Sequence, residues 1–121
     1  MNTNKQAIGK IGENLALKYI REAGLKLVQC NYRCALGEMD IIAAEGEVLV
    51  FIEVRTRLSG RMGWGEESIT PQKKARLYRV AAQYLKYKGY DPWPPMRFDL
   101  IAIRLCPEEL AESDIQWIRG I

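Results

Sequence analysis

Three carboxylates and a guanidinium fall within one short stretch of this chain. Gly37-Glu38-Met39-Asp40 opens one alternating apolar run, and Phe51-Ile52-Glu53-Val54-Arg55 closes the next, with Glu45-Gly46 between them. In a strand, residues i and i+2 share a side. Met39, Ile41 and Ala43 are therefore expected on one face of the first run, and Glu38, Asp40 and Ile42 on the other. In the second run, Val48, Val50, Ile52 and Val54 form the apolar face, opposite Leu49, Phe51, Glu53 and Arg55. With Glu45-Gly46 as a two-residue hairpin turn, Ala44 pairs with Glu47, Met39 with Ile52, Ile41 with Val50 and Glu38 with Glu53. This arrangement gathers Glu38, Asp40, Glu53 and Arg55 within cross-strand reach. Carboxylates so placed repel one another unless a cation or a raised pKa relieves them. The competing interpretation is a solvated hairpin face; it is weakened by Leu49, Phe51 and Ile42, which imply a partly covered one.

The rest of the composition narrows the chemistry. The chain has no histidine, which removes Ser-His-Asp and Cys-His nucleophile systems and zincin motifs. Cys30, Cys34 and Cys106 are odd in number and sit in apolar surroundings, so reduced, buried thiols are expected. A Cys-x3-Cys pair without histidine is poor evidence for zinc. At 121 residues with 48% hydrophobic and 27% charged side chains, the chain reads as one globular domain over 1–121. It has no apolar run of about 18 residues and no apolar stretch at the N-terminus, so a cytoplasmic protein without a membrane partner is expected.

Several elements must position these side chains. Ile8, Ile11, Leu15, Ala16, Tyr19 and Ala23 recur at helical spacing ahead of Gly24, predicting a helix over 8–23. Glu13 lies on the flank of its apolar stripe. It is read either as an acid favoured near a helix start or as a carboxylate reaching the sheet beneath. Residues 26–32 read as an edge strand, and 58–69, with Gly60, Gly63, Trp64 and Gly65, as a loop without periodicity. Thr70-Pro71 is an N-cap followed by proline at the first helical position. The helix then runs to about Lys88, with Leu77, Val80, Ala81, Tyr84 and Leu85 inward and Gln72, Arg76, Arg79, Gln83 and Lys86 outward. Residues 97–104 form the most apolar strand, in which Asp99 is expected to satisfy a buried partner. Residues 114–121 are consistent with a final strand.

Charge is unevenly distributed. Residues 55–88 hold nine basic side chains against Glu66 and Glu67, a local balance of +7 in a chain of net charge +3, so the remainder carries −4. A basic block following a carboxylate cluster suits a polyanion held beside a cation. Lys73 and Lys74 at a helix start, together with free backbone N–H groups, suit a phosphate. A solvated, lysine-rich helix face is the plainer alternative.

The element order, helix, three strands, helix, strand and a possible further strand, resembles the PD-(D/E)XK restriction-endonuclease-like α/β fold. Six ordered blocks are similar to the YraN family of small bacterial proteins, related to archaeal Holliday-junction resolvases: Gly9 to Glu13, Asn31-Tyr32-Arg33, Gly37 to Ile42, Phe51 to Arg57, Thr70 to Lys74 with Arg76-Leu77, and Arg97-Phe98-Asp99. The likeness spans about residues 8–120. It implies a mixed sheet flanked by helices and a metal-dependent endonuclease acting on DNA, including branched DNA, as a homodimer. It also implies catalytic residues Glu13, Asp40, Glu53 and Arg55. Asp40, Glu53, the Val54 carbonyl and Glu13 would be ligands to Mg2+ or Mn2+, with Arg57, Lys73, Lys74, Arg76 and Arg79 on the nucleic acid. Hard oxygen donors suit those ions.

One position departs from the pattern. The usual lysine of Glu-x-Lys is Arg55, which stays protonated and cannot take a proton from water, though it can clamp a phosphate. Two alternatives follow. One is a nucleic-acid-binding module on the nuclease fold with weak or no turnover. The other is a partner-binding protein whose carboxylates only pair with Arg33, Arg55 and Arg57.

Overall fold

The computed structural model describes residues 5–58 and 69–121. Helix α1 (Lys5–Glu22) leads into strands β1 (Lys26–Cys34), β2 (Gly37–Glu45) and β3 (Val48–Leu58). Helix α2 (Pro71–Lys88), strand β4 (Met96–Leu105), a 3-10 turn (Leu110–Glu112) and strand β5 (Asp114–Ile118) follow. The five strands form one mixed sheet in chain order, with β1 at one edge and β5 at the other. Of these strand pairs only β3 and β4 run parallel, an arrangement that needs a crossover, here through α2, rather than a tight turn.

The helices cover opposite faces. Ile8, Ala16 and Ile20 of α1 pack on Ile41, Ala43, Val50, Ile52, Ile101 and Ile103. Leu77, Val80, Ala81, Tyr84 and Leu85 of α2 pack on Tyr32, Met39, Ile42, Leu49 and Phe51. These five inward residues of α2 are the ones its periodicity predicts. Thr70 caps the helix, its Oγ1 accepting from the Lys73 N–H at 3.2 Å, and Gly89 ends it at φ 76 in the left-handed region. The face carrying Leu49 and Phe51 is thus covered, as their apolar character requires.

The hairpin register differs from the expected one by two residues. The turn falls at Gly46-Glu47, with Gly46 at φ 60, so Glu45 pairs with Val48, Ala43 with Val50 and Ile41 with Ile52. A shift of two preserves every face, so the apolar pattern fits both registers equally. The expected alternation also fails once. Met39 packs on the α2 side with Ile42, whereas Ile41 packs on the α1 side. The switch occurs where Asn31, at φ 55, lies between the Cys30↔Ile41 and Tyr32↔Met39 pairs. The first helix starts at Lys5 rather than residue 8. The cysteines are not buried: Cys30 is exposed and Cys34 and Cys106 are half-buried, because Cys30 lies on an edge strand. The loop expected at Gly60 to Gly65 lies outside the described residues. No described helix is long and apolar enough to cross a membrane.

Asp99 is fully buried on β4. It accepts from Arg97 Nε (3.0 Å), Trp117 Nε1 (2.9 Å) and the Gly120 N–H (3.0 Å), while Arg97 also reaches Glu45 at 2.6 Å. A buried carboxylate persists only when paired and hydrogen-bonded. This one pins β5 and the residues after it to β4.

Candidate functional site

The site forms where β2 and β3 part. Their ladder runs from Glu45↔Val48 to Ile41↔Ile52, and one residue further along β2 the Val54 N–H donates to Asp40 Oδ2 at 2.8 Å. A side-chain oxygen has taken the acceptor role of a backbone carbonyl. That bond fixes the carboxyl of Asp40 against the middle of the Glu53-Val54-Arg55 segment.

Gly37, Glu38, Asp40, Glu53, Val54, Arg55 and Arg76 line a cavity of about 400 Å³. Glu53 and Arg55, two apart on one face of β3, pair at 2.9 Å with side chains only 13% and 18% exposed. Glu38 turns instead to Arg33 at 3.1 Å, with both side chains more than half exposed, a pair of little energetic weight. Burial pushes the Asp40 carboxyl up to about 7; the Val54 N–H opposes the rise, and the charges of Glu53, Glu13 and Glu38 add to it. The acidic group is therefore held at a cost that a bound cation would relieve.

Glu13 lies in an adjoining cavity of about 500 Å³ on the α1 side, with Val54, Thr56 and Arg57. Val54 lines both spaces. Glu13 is lowered onto the sheet by its neighbour: a Cβ built on Gly12 would stand 1.9 Å from Thr56 Oγ1 and 2.9 Å from Thr56 Cβ. Gly37 does the same for the other cavity. At φ 142 it leaves room for Val80 and the Arg76 stem, which a Cβ would meet at 3.3 and 3.4 Å.

Glu38, Asp40, Glu53 and Arg55 thus line one cavity, with Glu13 next door and Arg57 beside Glu13. Lys73 and Lys74 lie in the first turn of α2 and Arg79 on its exposed face. The start of α2 has fewer free backbone donors than the sequence suggests. Pro71 has no N–H, and those of Lys73 and Lys74 bond to Thr70 Oγ1 and to the Thr70 carbonyl. The lysine side chains remain to meet an anion. The supporting roles of Gly12 and Gly37 were not evident beforehand. Gly12 did leave a signal: glycine inside a helix is unfavourable by roughly 1 kcal/mol relative to alanine, and here it sits four residues from both Ile8 and Ala16 on the inward face.

Among the described residues, no three His, Cys, Asp or Glu side chains are gathered into a ready-made metal cluster; Glu53 is turned towards Arg55 and Asp40 towards Val54. The chemistry of the donor set nevertheless fits a hard divalent ion. Its members are carboxylates, its charge is concentrated, and one carboxyl is raised by its burial and further by its acidic neighbours.

Sequence comparison adds a family. A UPF0102 protein of Desulfitobacterium hafniense strain Y51 is 62% identical over 121 residues, covering the whole of both chains. One from Nitrosococcus oceani is 45% identical over 111 residues, 92% of this chain and 87% of its own. One from Syntrophus aciditrophicus is 40% identical over 106 residues, 88% of this chain and 83% of its own. The sequence model of the uncharacterised protein family UPF0102 matches residues 12–103, a span that holds Glu13, Asp40, Glu53, Arg55 and all of α2, and the chain belongs to that family.

Proposed function

We propose that this protein is a metal-dependent endonuclease on a PD-(D/E)XK-type fold, similar to the YraN proteins, hydrolysing phosphodiester bonds in DNA. The observation that carries the reading is the Asp40–Val54 bond. It anchors a carboxyl raised chiefly by its burial beside Glu53, at the point where two central strands separate. Helix, three antiparallel strands, crossover helix and a parallel fourth strand give the element order of that fold. Asp40, Glu53 and the Val54 carbonyl would hold Mg2+ or Mn2+, with Glu13 contributing through water. When bound, such an ion supplies a more acidic water and charge neutralisation at the scissile phosphate.

The chain's own groups do the rest. Arg55 holds Glu53 through its Nε and fixes that carboxylate's direction. Being permanently protonated, it removes no proton from water. Arg57 beside Glu13, and Lys73, Lys74 and Arg79 on α2, would supply positive charge suited to a nucleic-acid backbone. Branched DNA is the first substrate to test, and a homodimer the assembly to look for, on the strength of the likeness to resolvases.

The Glu53–Arg55 pair also favours a second reading, a nucleic-acid-binding module with weak or no turnover, because position 55 carries an arginine, which cannot give up its proton, where the pattern has lysine. Incubation of wild type and Glu53→Gln with duplex, flap, single-stranded and four-way DNA, in Mn2+ or chelator, tests both. Metal-dependent cutting lost in Glu53→Gln supports the endonuclease. Salt-sensitive binding without cutting supports the module. Neither binding nor cutting removes both.

A further inference from the structure

We propose that Arg76, rather than Arg55, is the cation that grips the substrate phosphodiester at the carboxylate cavity, an assignment that rests on the reading of this cavity as a site for nucleic-acid backbone. In the Glu-x-Arg pattern Arg55 is the natural candidate for a phosphate clamp. Its position argues otherwise. Its Nε is bound to Glu53 Oε2 at 2.9 Å, and both side chains are largely withdrawn from solvent. A guanidinium already neutralised by an adjacent carboxylate attracts a phosphate weakly, and turning it to a phosphate would leave Glu53 without its partner.

Every acidic group of the cavity already has a partner without Arg76. Glu38 has Arg33, Glu53 has Arg55 and Asp40 has the Val54 N–H. Arg76 lines the same cavity from α2, and among the described residues its guanidinium makes no ion pair or hydrogen bond. Its stem is packed. Cδ and Cγ lie 3.4 and 3.6 Å from where a Cβ on Gly37 would stand, and Gly37 is held at φ 142, where side chains are rarely accepted. The result is a long cationic side chain with an ordered stem and an unpaired, planar head, suited to bidentate contact with phosphate oxygens. It also solves an electrostatic problem. A cavity bearing Glu38, Asp40 and Glu53 repels a polyanion, and a cation on the opposing wall lets a phosphate enter alongside the carboxylates.

The test is DNA affinity across a salt series, in chelator, read by fluorescence anisotropy, followed by single-turnover cleavage in Mn2+. Lys18→Gln, on the exposed side of α1, removes one positive charge away from the cavity and serves as the comparison. Arg76→Gln is expected to weaken binding about tenfold or more, as loss of a charge-assisted hydrogen bond does, and to lower the salt slope by about one. Arg76→Lys is expected to keep the slope and lose part of the affinity, since it keeps the charge but not the fork. Cleavage by Arg76→Gln should fall roughly a hundredfold, with an unchanged thermal melt. Arg76→Gln that matches Lys18→Gln in slope and affinity overturns the assignment alone. Wild type that binds no DNA at any salt overturns it together with the reading on which it rests.

Discussion

Val54 donates its backbone N–H to Asp40 Oδ2 at 2.8 Å, across two strands whose own ladder has just ended. The bond makes the acid part of the sheet's backbone pairing, so the position of Asp40 is set as firmly as the strands themselves.

Because Asp40 and Glu53 are the hard donors of the cavity, Asp40→Asn and Glu53→Gln should each abolish Mn2+ binding in calorimetric titration, while both proteins remain folded. Asn can still accept from Val54, so the Asp40 substitution removes charge and little geometry. Unchanged binding in both variants would place the ion elsewhere.

The raised carboxyl makes a prediction about pH. Asp40 titrates near 7 in the folded protein, against an ordinary carboxylate value of 3.8. Between these values the unfolded chain has lost a proton that the folded one retains. This group's contribution to stability is therefore complete below about pH 4 and is lost as pH rises through about 7. In chelator, Asp40→Asn should differ least from wild type below about pH 4, and its stability advantage should grow by on the order of 1–3 kcal/mol between pH 5 and pH 8. Urea denaturation at the two pH values reads it. An equal difference at both would show that the carboxyl is not raised by folding.

Gly12→Ala tests how Glu13 is positioned. The new Cβ would meet Thr56 at Oγ1, Cβ and Cγ2, at 1.9, 2.9 and 2.9 Å, so rotating the threonine side chain does not clear it. Overpacking of this kind costs typically 1–3 kcal/mol, partly offset by about 1 kcal/mol of helix propensity. Net destabilisation is expected, with partial recovery in Gly12→Ala combined with Thr56→Ala. A stability gain in the single variant would mean that α1 and β3 are not in close contact at this point.

Asp99→Ala should destabilise by about 3–5 kcal/mol, the usual consequence of removing one partner of a buried pair, because it leaves the Trp117 indole and the Gly120 N–H without their acceptor and Arg97 with Glu45 alone. Thermal unfolding measures the loss, and hydrogen exchange should show it concentrated in β5. A loss below 1 kcal/mol would mean that the network does not hold the strand.

Much of this architecture was legible in local pattern. The alternation in 48–54, the inward stripe Leu77, Val80, Ala81, Tyr84 and Leu85, and the Thr70-Pro71 start each fix an element, because periodicity reports which side of a strand or helix is buried. The unease of Glu38, Asp40 and Glu53 among apolar neighbours likewise marked the cavity. Only the tertiary structure decided how those pieces meet. A two-residue slip leaves every side chain on its own face, so apolar pattern cannot distinguish a turn at Glu45-Gly46 from one at Gly46-Glu47. Met39 changes faces beside the left-handed Asn31, and periodicity does not register a local backbone twist. The Asp40–Val54 bond, the Glu53–Arg55 pair and the place of Arg76 in the cavity depend on distances between segments as much as 39 residues apart in the chain. Such distances are set by packing, above all by Gly12 and Gly37 letting two helices close on the sheet.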